Sequence, residues 1–330
     1  MIQESQVSTV LVHTSTLHNA RSLSSRPRTV FNVTRSSLIK KRTDRTTPSV
    51  GSGKSRAAIL FTSGTSGTPK GVYLLNEALS NTIESISRAC EVGHSSRILQ
   101  QSAMSFNLSI FQTLMALANG ACLVIATSEE RASPNAIVDL LASHHVSITF
   151  AAPSEYQWWV QSCGPQRFED IPLRTIITGG EKVKQSHLAT FKSIKNSSLR
   201  YMDGYGPTEA TIFSNIGVID YTKQNRWITV GSALHDTAIY VVDEELRSVA
   251  LGMSGEIYIG GVGVNGGYLS AEMTKERFLP NIFAGPGFLS NGWSNMYRTG
   301  DKGRLLSDGT LLIEGRIAGD TQIKLRGVRM

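Results

Sequence analysis

From about residue 57 onward the chain alternates short apolar runs with stretches whose apolar residues recur every three or four positions. These are the periods of buried strands and of amphipathic helices. Strands are predicted over 58–61, 71–75, 97–101, 121–126, 147–151, 175–178 and 199–202, and helices over 77–90, 109–117, 135–143, 154–161 and 184–191. That alternation is the pattern of an α/β domain. Beyond about Gly217 the helical periods thin out, and 238–242, 255–260 and 310–313 predict short strands separated by glycine turns, consistent with a barrel-like β subdomain. Two earlier runs, 7–13 and 29–33, also read as strands. The expected organisation is a basic segment over 1–56, an α/β core over 57–216 and a β-rich part over 217–330.

The first stretch with chemistry is LFTSGTSGTPKGV at residues 60–72. Gly64 and Gly67 permit the backbone angles that turn amides inward, while Thr62, Ser63, Thr65, Ser66 and Thr68 offer hydroxyl donors. Lys70 adds a fixed positive charge. Ordinary polar turns seldom hold so many hydroxyls and glycines ahead of Pro-Lys-Gly, so the run reads as a loop built to wrap phosphate. GSGKS at 51–55 mimics the end of a Walker loop, but Pro48 stands where that pattern needs glycine and the preceding KKRTDRTT is no buried strand. It is expected to be a flexible linker.

Four further runs follow in order: DGYGPTEAT at 203–211, GEIYIGGVGVNGGYL at 255–269, YRTGDKGR at 297–304 and EGRIAGDTQIKLRG at 314–327. With the phosphate loop they resemble the motifs of the adenylate-forming, or AMP-binding, superfamily. The resemblance covers the chain from about Ala57 to its end. It implies the large α/β core of those enzymes with layered subdomains and a small β-barrel-like one, and ATP-dependent adenylation of a carboxylic acid with Mg²⁺. By the same resemblance Thr62 to Thr68, Lys70 and Gly71 lie over the ATP phosphates, with Thr65 and Lys70 the catalytic side chains. Tyr205 stacks on adenine beside Asp203 and Gly204, Thr208 touches phosphate, and Glu209 ligates Mg²⁺. Asp301 and Arg316 contact the ribose. These roles suit their residue types, since a π face suits a base and a hard carboxylate oxygen suits Mg²⁺. Lys324 and Arg326 read as solvated charges of an outgoing strand.

In amino-acid-activating members the position matching Asn107 carries Asp, which holds the substrate's α-ammonium. An amide cannot make that ion pair, and a buried ammonium without a counter-charge costs several kcal/mol. Asn here resembles domains that activate aryl acids. The remaining pocket positions matched by resemblance are Phe106, Leu108, Phe111, Phe150, Ile177, Gly179, Gly204, Ile212 and Phe213, an apolar slot with aromatic walls and open glycine floors. FNLSIFQTLMALANGACLVI, AAPSEYQWW and GDTQIKLRGVR look like adenylation domains of fungal polyketide synthase and peptide synthetase hybrids. Asp203 departs from a common Asn, and Ala318 stands where the family has its hinge Asp.

The resemblance further implies that the chain is truncated at both ends, without the C-terminal lid and its catalytic Lys. Losing one such preorganised cation costs about 3 to 4 kcal/mol in a transition state, so weak turnover is expected. The expected partners are a carboxylic acid, aryl or apolar rather than an ordinary α-amino acid, and a carrier protein domain or a separately encoded lid. A pseudoenzyme that keeps ATP binding and an acyl-CoA ligase stand as alternatives.

Composition narrows the classes. The formal charge is +7 over 330 residues, yet residues 1–56 hold ten Lys and Arg against Glu4 and Asp44, leaving the body close to neutral. That distribution argues against a nucleic-acid groove, which needs its charge on the folded body. An Arg-rich, acid-poor start also suits a transit peptide, against which stand the two strand-like runs. No apolar run reaches the length of a membrane span. Three cysteines without paired metal spacing suggest reduced thiols and a cytoplasmic protein.

Overall fold

Seven strands build the main sheet of the computed structural model, which describes residues 1–22, 29–34, 51–62, 69–223, 225–264 and 266–317 and the backbone of Lys324–Leu325 and Val328–Arg329. In chain order the strands are β1 (Thr9–Val12), β2 (Thr29–Asn32), β3 (Arg56–Thr62), β4 (Lys70–Leu75), β5 (Arg97–Gln100), β6 (Cys122–Ile125), β7 (Ile148–Ala151), β8 (Thr175–Gly179), β9 (Arg200–Tyr205), β10 (Asn215–Ile219) and β11 (Ser232–Ala233). The main sheet runs β11-β10-β9-β8-β7-β5-β6. Its five strands from β9 to β6 are parallel, and β10 and β11 add antiparallel edges.

Parallel strands need cover on both faces, so their side chains are apolar in both directions. Ile176 and Tyr201 point to one side, into a cluster with Trp159, Tyr156 and Phe191 from the Pro153–Cys163 and Gln185–Lys192 helices. Ile177 and Met202, one residue on, point to the other, against Ile86, Phe111 and Met115 from the Asn76–Ala89 and Asn107–Ala118 helices. The period of two in the strands thus divides the core into two layers around one sheet.

The second half adds β12 (Thr237–Val242), β13 (Gly255–Gly261), β14 (Phe278–Pro280), β15 (Asn295–Leu305) and β16 (Leu311–Arg316). They form an antiparallel sheet in the order β12-β13-β15-β14, and the eleven-residue β15 is long enough for β14 to pair its first residues and β16 its last. The predicted elements correspond closely to those observed.

Three features depart from the expected layout. The main sheet continues through β10 and β11, past residue 216. The β3–β4 hairpin packs Leu60, Val72 and Leu74 against Val241, Ile257, Ile259 and Leu311 of the β-rich half rather than into the main sheet. Gly51–Ser55, read as a flexible linker, is a hydrogen-bonded turn: the Asn76 and Glu77 amides donate to the carbonyls of Ser55 and Gly53 at 3.0 and 2.9 Å, satisfying donors at the start of the Asn76–Ala89 helix. At the other end of the chain, β1 and β2 form a separate parallel pair. Among the described residues no helix is long and apolar enough to cross a membrane.

Candidate active site

The site lies where the C-terminal end of β9 meets β15 and the loop after β13. Leaving β9, the chain runs through Gly206 and Pro207 into a short 3₁₀ turn, Thr208–Ala210. Thr211 and Ile212 follow with φ of 58° and 77°. Left-handed backbone at two successive β-branched residues costs on the order of 1 to 3 kcal/mol each and persists only where neighbours hold it. Here Thr82 Oγ1 donates to the Thr211 carbonyl at 3.1 Å and Thr211 Oγ1 donates to the Gly263 carbonyl at 2.8 Å. Thr208 and Glu209 of this turn are part-buried.

Glu209 is held from the opposite side. The Tyr268 hydroxyl donates to its Oε1 at 2.7 Å and lies 3.3 Å from the Tyr297 hydroxyl. Both phenols are 6% exposed. Burial and the Glu209 carboxylate push the Tyr268 pKa up, so it stays a donor. Lys70 Nζ sits 5.9 Å from the Tyr268 ring centroid. The backbone reinforces this proximity: the Leu269 amide donates to the Gly71 carbonyl at 2.8 Å, and the Tyr73 amide to that of Gly267 at 3.0 Å. Thr62 stands opposite Lys70 in the hairpin register, and its hydroxyl donates to the Lys70 carbonyl at 3.5 Å. Ser63, Gly64, Thr65, Ser66, Gly67 and Thr68, the rest of the expected phosphate loop, lie outside the described residues.

A second group adjoins the first through β15. The Tyr205 hydroxyl donates to Asp301 Oδ2 at 2.5 Å, and Arg316 Nη1 donates to Asp301 Oδ1 at 2.7 Å and to the Thr299 carbonyl at 3.0 Å. Asp301 and Arg316 are register partners of β15 and β16. Tyr297, four residues before Asp301, lies in the field of both Glu209 and Arg316. Lys70, Tyr268, Glu209 and Tyr297 form one set of contacts, Tyr205, Asp301 and Arg316 a second, and the two are joined through β15 and the field at Tyr297. Tyr268, Tyr297 and Thr299 escaped the sequence reading. Tyr268 is the aromatic residue in the GGYL run, and its OH is the atom that joins Lys70's neighbourhood to Glu209.

The expected acid pocket is more closed than its residues suggested. Asn107 Nδ2 donates to Thr208 Oγ1 at 3.1 Å, which ties the amide to the Glu209 turn. Phe106, just ahead of that helix, is 41% exposed. Phe111 packs edge to face on Phe150 at 5.1 Å and on Phe213 at 5.5 Å, with Ile177 and Ile212 buried beside them and Leu108 partly so. The floors over Gly179 and Gly204 are not open: a Cβ there would lie 3.1 and 2.6 Å from Phe213 Cε1. Phe213 takes the space the two glycines release.

Asp203 is buried, at 3% exposure. Thr178 Oγ1 donates to its Oδ1 at 2.8 Å and lies 3.1 Å from the Met202 carbonyl. Burial raises the Asp203 pKa to about 8, against the lowering effect of the Thr178 hydrogen bond.

Comparison with known proteins agrees with this geometry. Residues 1–269 match the family described as AMP-binding enzyme. The chain belongs to that family. It is an adenylate-forming domain of the kind found in nonribosomal peptide synthetases. It is 40% identical over 284 residues to the hybrid PKS-NRPS synthetase poxE of Penicillium oxalicum, a match covering 83% of this chain and 7% of the relative. It is likewise 40% identical over 278 residues to the polyketide synthase-nonribosomal peptide synthetase phmA of Phaeosphaeria nodorum, covering 84% and 7%. This AMP-binding chain thus spans about 7% of the length of those curated relatives. Among solved structures, the nonribosomal peptide synthetase FmoA3 superposes with a TM-score of 0.81 at 24% identity, over 96% of this chain and 33% of its own. Holo-PA1221, an NRPS protein with adenylation and PCP domains, superposes at 0.77 and 25% identity, over 100% of this chain and 54% of its own. The expected kinship with fungal hybrid synthetases is borne out.

Proposed function

We propose that this AMP-binding domain binds Mg-ATP across the Lys70, Glu209 and Asp301 set and adenylates a carboxylic acid, as the loading step of a synthetase that passes the acyl group to a carrier protein. The observation that carries it is the Tyr268 hydroxyl. It joins Glu209 to Tyr297, with Lys70 over its ring, with Asp301 farther along the strand that holds Tyr297, and with Arg316 opposite Asp301 on β16. Residues scattered from position 70 to position 316 in sequence thus face one volume.

Mg²⁺ fits that volume. It keeps waters and binds through one or two carboxylates plus substrate phosphates rather than in an all-protein cage, and no group of three His, Cys, Asp or Glu gathers among the described residues. Glu209 would hold it through Oε2, since Oε1 accepts from Tyr268. When bound, Mg²⁺ neutralises charge on the departing pyrophosphate. Lys70 adds a second cation near the phosphates, the Thr208 hydroxyl is a donor toward them, and Tyr205 with Asp301 orients the nucleoside. Alignment of the acid's oxygen with the α-phosphorus is then chiefly a matter of positioning.

The acid is apolar or aryl in this reading. Asn107 brings no charge and is hydrogen-bonded to Thr208, and the aromatic wall of Phe111, Phe150 and Phe213 offers no anion to an ammonium. Titration calorimetry with Mg-ATP should give saturable heat for the wild type and much weaker binding for Lys70→Ala. A folded wild type that takes up no ATP would refute the proposal. Acid-dependent exchange of labelled pyrophosphate into ATP, across aryl, 2-hydroxy and amino acids, tests the substrate class; signal from amino acids alone would overturn it.

A further inference from the structure

Two guanidinium groups converge on one point above Gly300. The residue has φ of +74°, and a Cβ built on it would have Arg277 Nη1 at 3.8 Å and Arg316 Nη1 at 3.9 Å. Arg316 is already matched, by Asp301 Oδ1 at 2.7 Å and the Thr299 carbonyl at 3.0 Å. Arg277 is not. It ends the Ala271–Arg277 helix, is half-buried, and makes no hydrogen bond or ion pair among the described residues. Asp301 is committed: its Oδ1 accepts from Arg316 and its Oδ2 from Tyr205. Like charges that approach the same point repel unless an anion joins them.

We propose that Arg277, Gly300 and Arg316 form a phosphoryl-anion subsite beside the nucleotide site. The glycine leaves the volume open, and the planar forks of two guanidinium groups match the oxygens of a phosphate. Arg277 also acts electrostatically on Tyr297, the residue that feels Glu209 and Arg316, which places the subsite against the nucleotide-binding side chains. Two sources supply such an anion in the proposed reaction: the phosphates of the nucleotide, and the pyrophosphate released from it. The subsite does not depend on the adenylation reading, because inorganic pyrophosphate alone probes it.

The experiment is calorimetric titration of the whole 330-residue chain with sodium pyrophosphate, without nucleotide. Saturable binding is expected. Arg277→Gln should weaken it roughly tenfold to a hundredfold, the range for losing a charge-assisted hydrogen bond, and Arg277→Lys, which keeps charge without the fork, should fall between. Circular dichroism confirms that both variants fold. A parallel titration with ATP and with adenosine separates the sources: weaker ATP binding in Arg277→Gln with adenosine unchanged assigns the subsite to the nucleotide's own phosphates, and a defect confined to pyrophosphate assigns it to the product. Equal pyrophosphate affinity in the wild type and Arg277→Gln, or none in the wild type, overturns the subsite, whereas failure of ATP binding alone counts against the adenylation reading and leaves the pyrophosphate result standing.

Discussion

Tyr268→Phe isolates a single hydroxyl in this site. The ring, its edge-to-face contact with Phe278 at 5.4 Å and its place beneath Lys70 are kept, so what is lost is the 2.7 Å hydrogen bond to Glu209 and the 3.3 Å contact with the Tyr297 hydroxyl. A hydrogen bond to an ionised acceptor contributes about 1.5 to 3 kcal/mol net. Tyr297, 6% exposed, also loses a neighbour for its hydroxyl, which puts the expected cost in the upper half of that range. The consequence for ligand binding follows from geometry. With Oε1 released, the Glu209 carboxylate is free to rotate and Oε2 is no longer held toward the cation. If about half of the lost energy appears in binding, the affinity for Mg-ATP falls roughly tenfold. The assay is calorimetric titration of ATP at a series of Mg²⁺ concentrations and in EDTA. The Mg²⁺ dependence should move to higher concentration, while metal-free ATP binding stays as in the wild type. A Tyr268→Phe curve that superimposes on the wild type would show that the phenol does not position Glu209.

Three further outcomes can be checked. Because burial raises the folded-state pKa of Asp203 to about 8, the native state holds a proton that the unfolded chain has released; stability therefore falls as pH rises from near 4 to near 8, each unit of retained shift being worth about 1.4 kcal/mol, and denaturant melts of Asp203→Asn at pH 5 and pH 8 should lack that part of the slope. Gly204→Ala puts a Cβ 2.6 Å from Phe213 Cε1 and should cost about 1 to 3 kcal/mol through overpacking; the same change in a Phe213→Ala background should cost much less, and equal costs in the two backgrounds would contradict the packing described. Asn107→Asp keeps a partner, since Thr208 Oγ1 can donate where it now accepts, and supplies the missing anion; pyrophosphate exchange should shift toward α-amino acids, and an unchanged acid profile would remove Asn107 from the specificity argument.

Much of the architecture was legible because it rests on periodicity. The alternation of Ile176 with Ile177 and of Tyr201 with Met202 onto opposite faces is the period of two that marks a buried strand. Lys70, Tyr205, Glu209, Asp301 and Arg316 stood out because each sits in a short run with an unusual composition. What the chain order concealed was pairing at long range. Nothing local to Tyr268 says that its hydroxyl reaches Glu209, 59 residues earlier, and nothing near Arg277 says that it and Arg316 both approach Gly300. The Thr211 and Ile212 backbone angles were equally hidden, since β-branched residues disfavour them and only the surrounding hydrogen bonds impose them. The aromatic slot misled for a related reason: glycines at 179 and 204 signal released volume, but sequence does not say which side chain takes it up.

The β3–β4 hairpin has an implication for dissecting the protein. Leu60, Val72 and Leu74 find their apolar neighbours at Val230, Val241, Ile257 and Leu311, and Val72 forms a β-bridge with Tyr268. A fragment cut near residue 216 would strip that cover and split β10 from the rest of its strand, leaving the hairpin as an adhesive edge. Lys70 travels with the later half of the polypeptide although it is encoded in the earlier one, so gene fusions or domain exchanges that respect the apparent boundary would separate it from the scaffold it packs on.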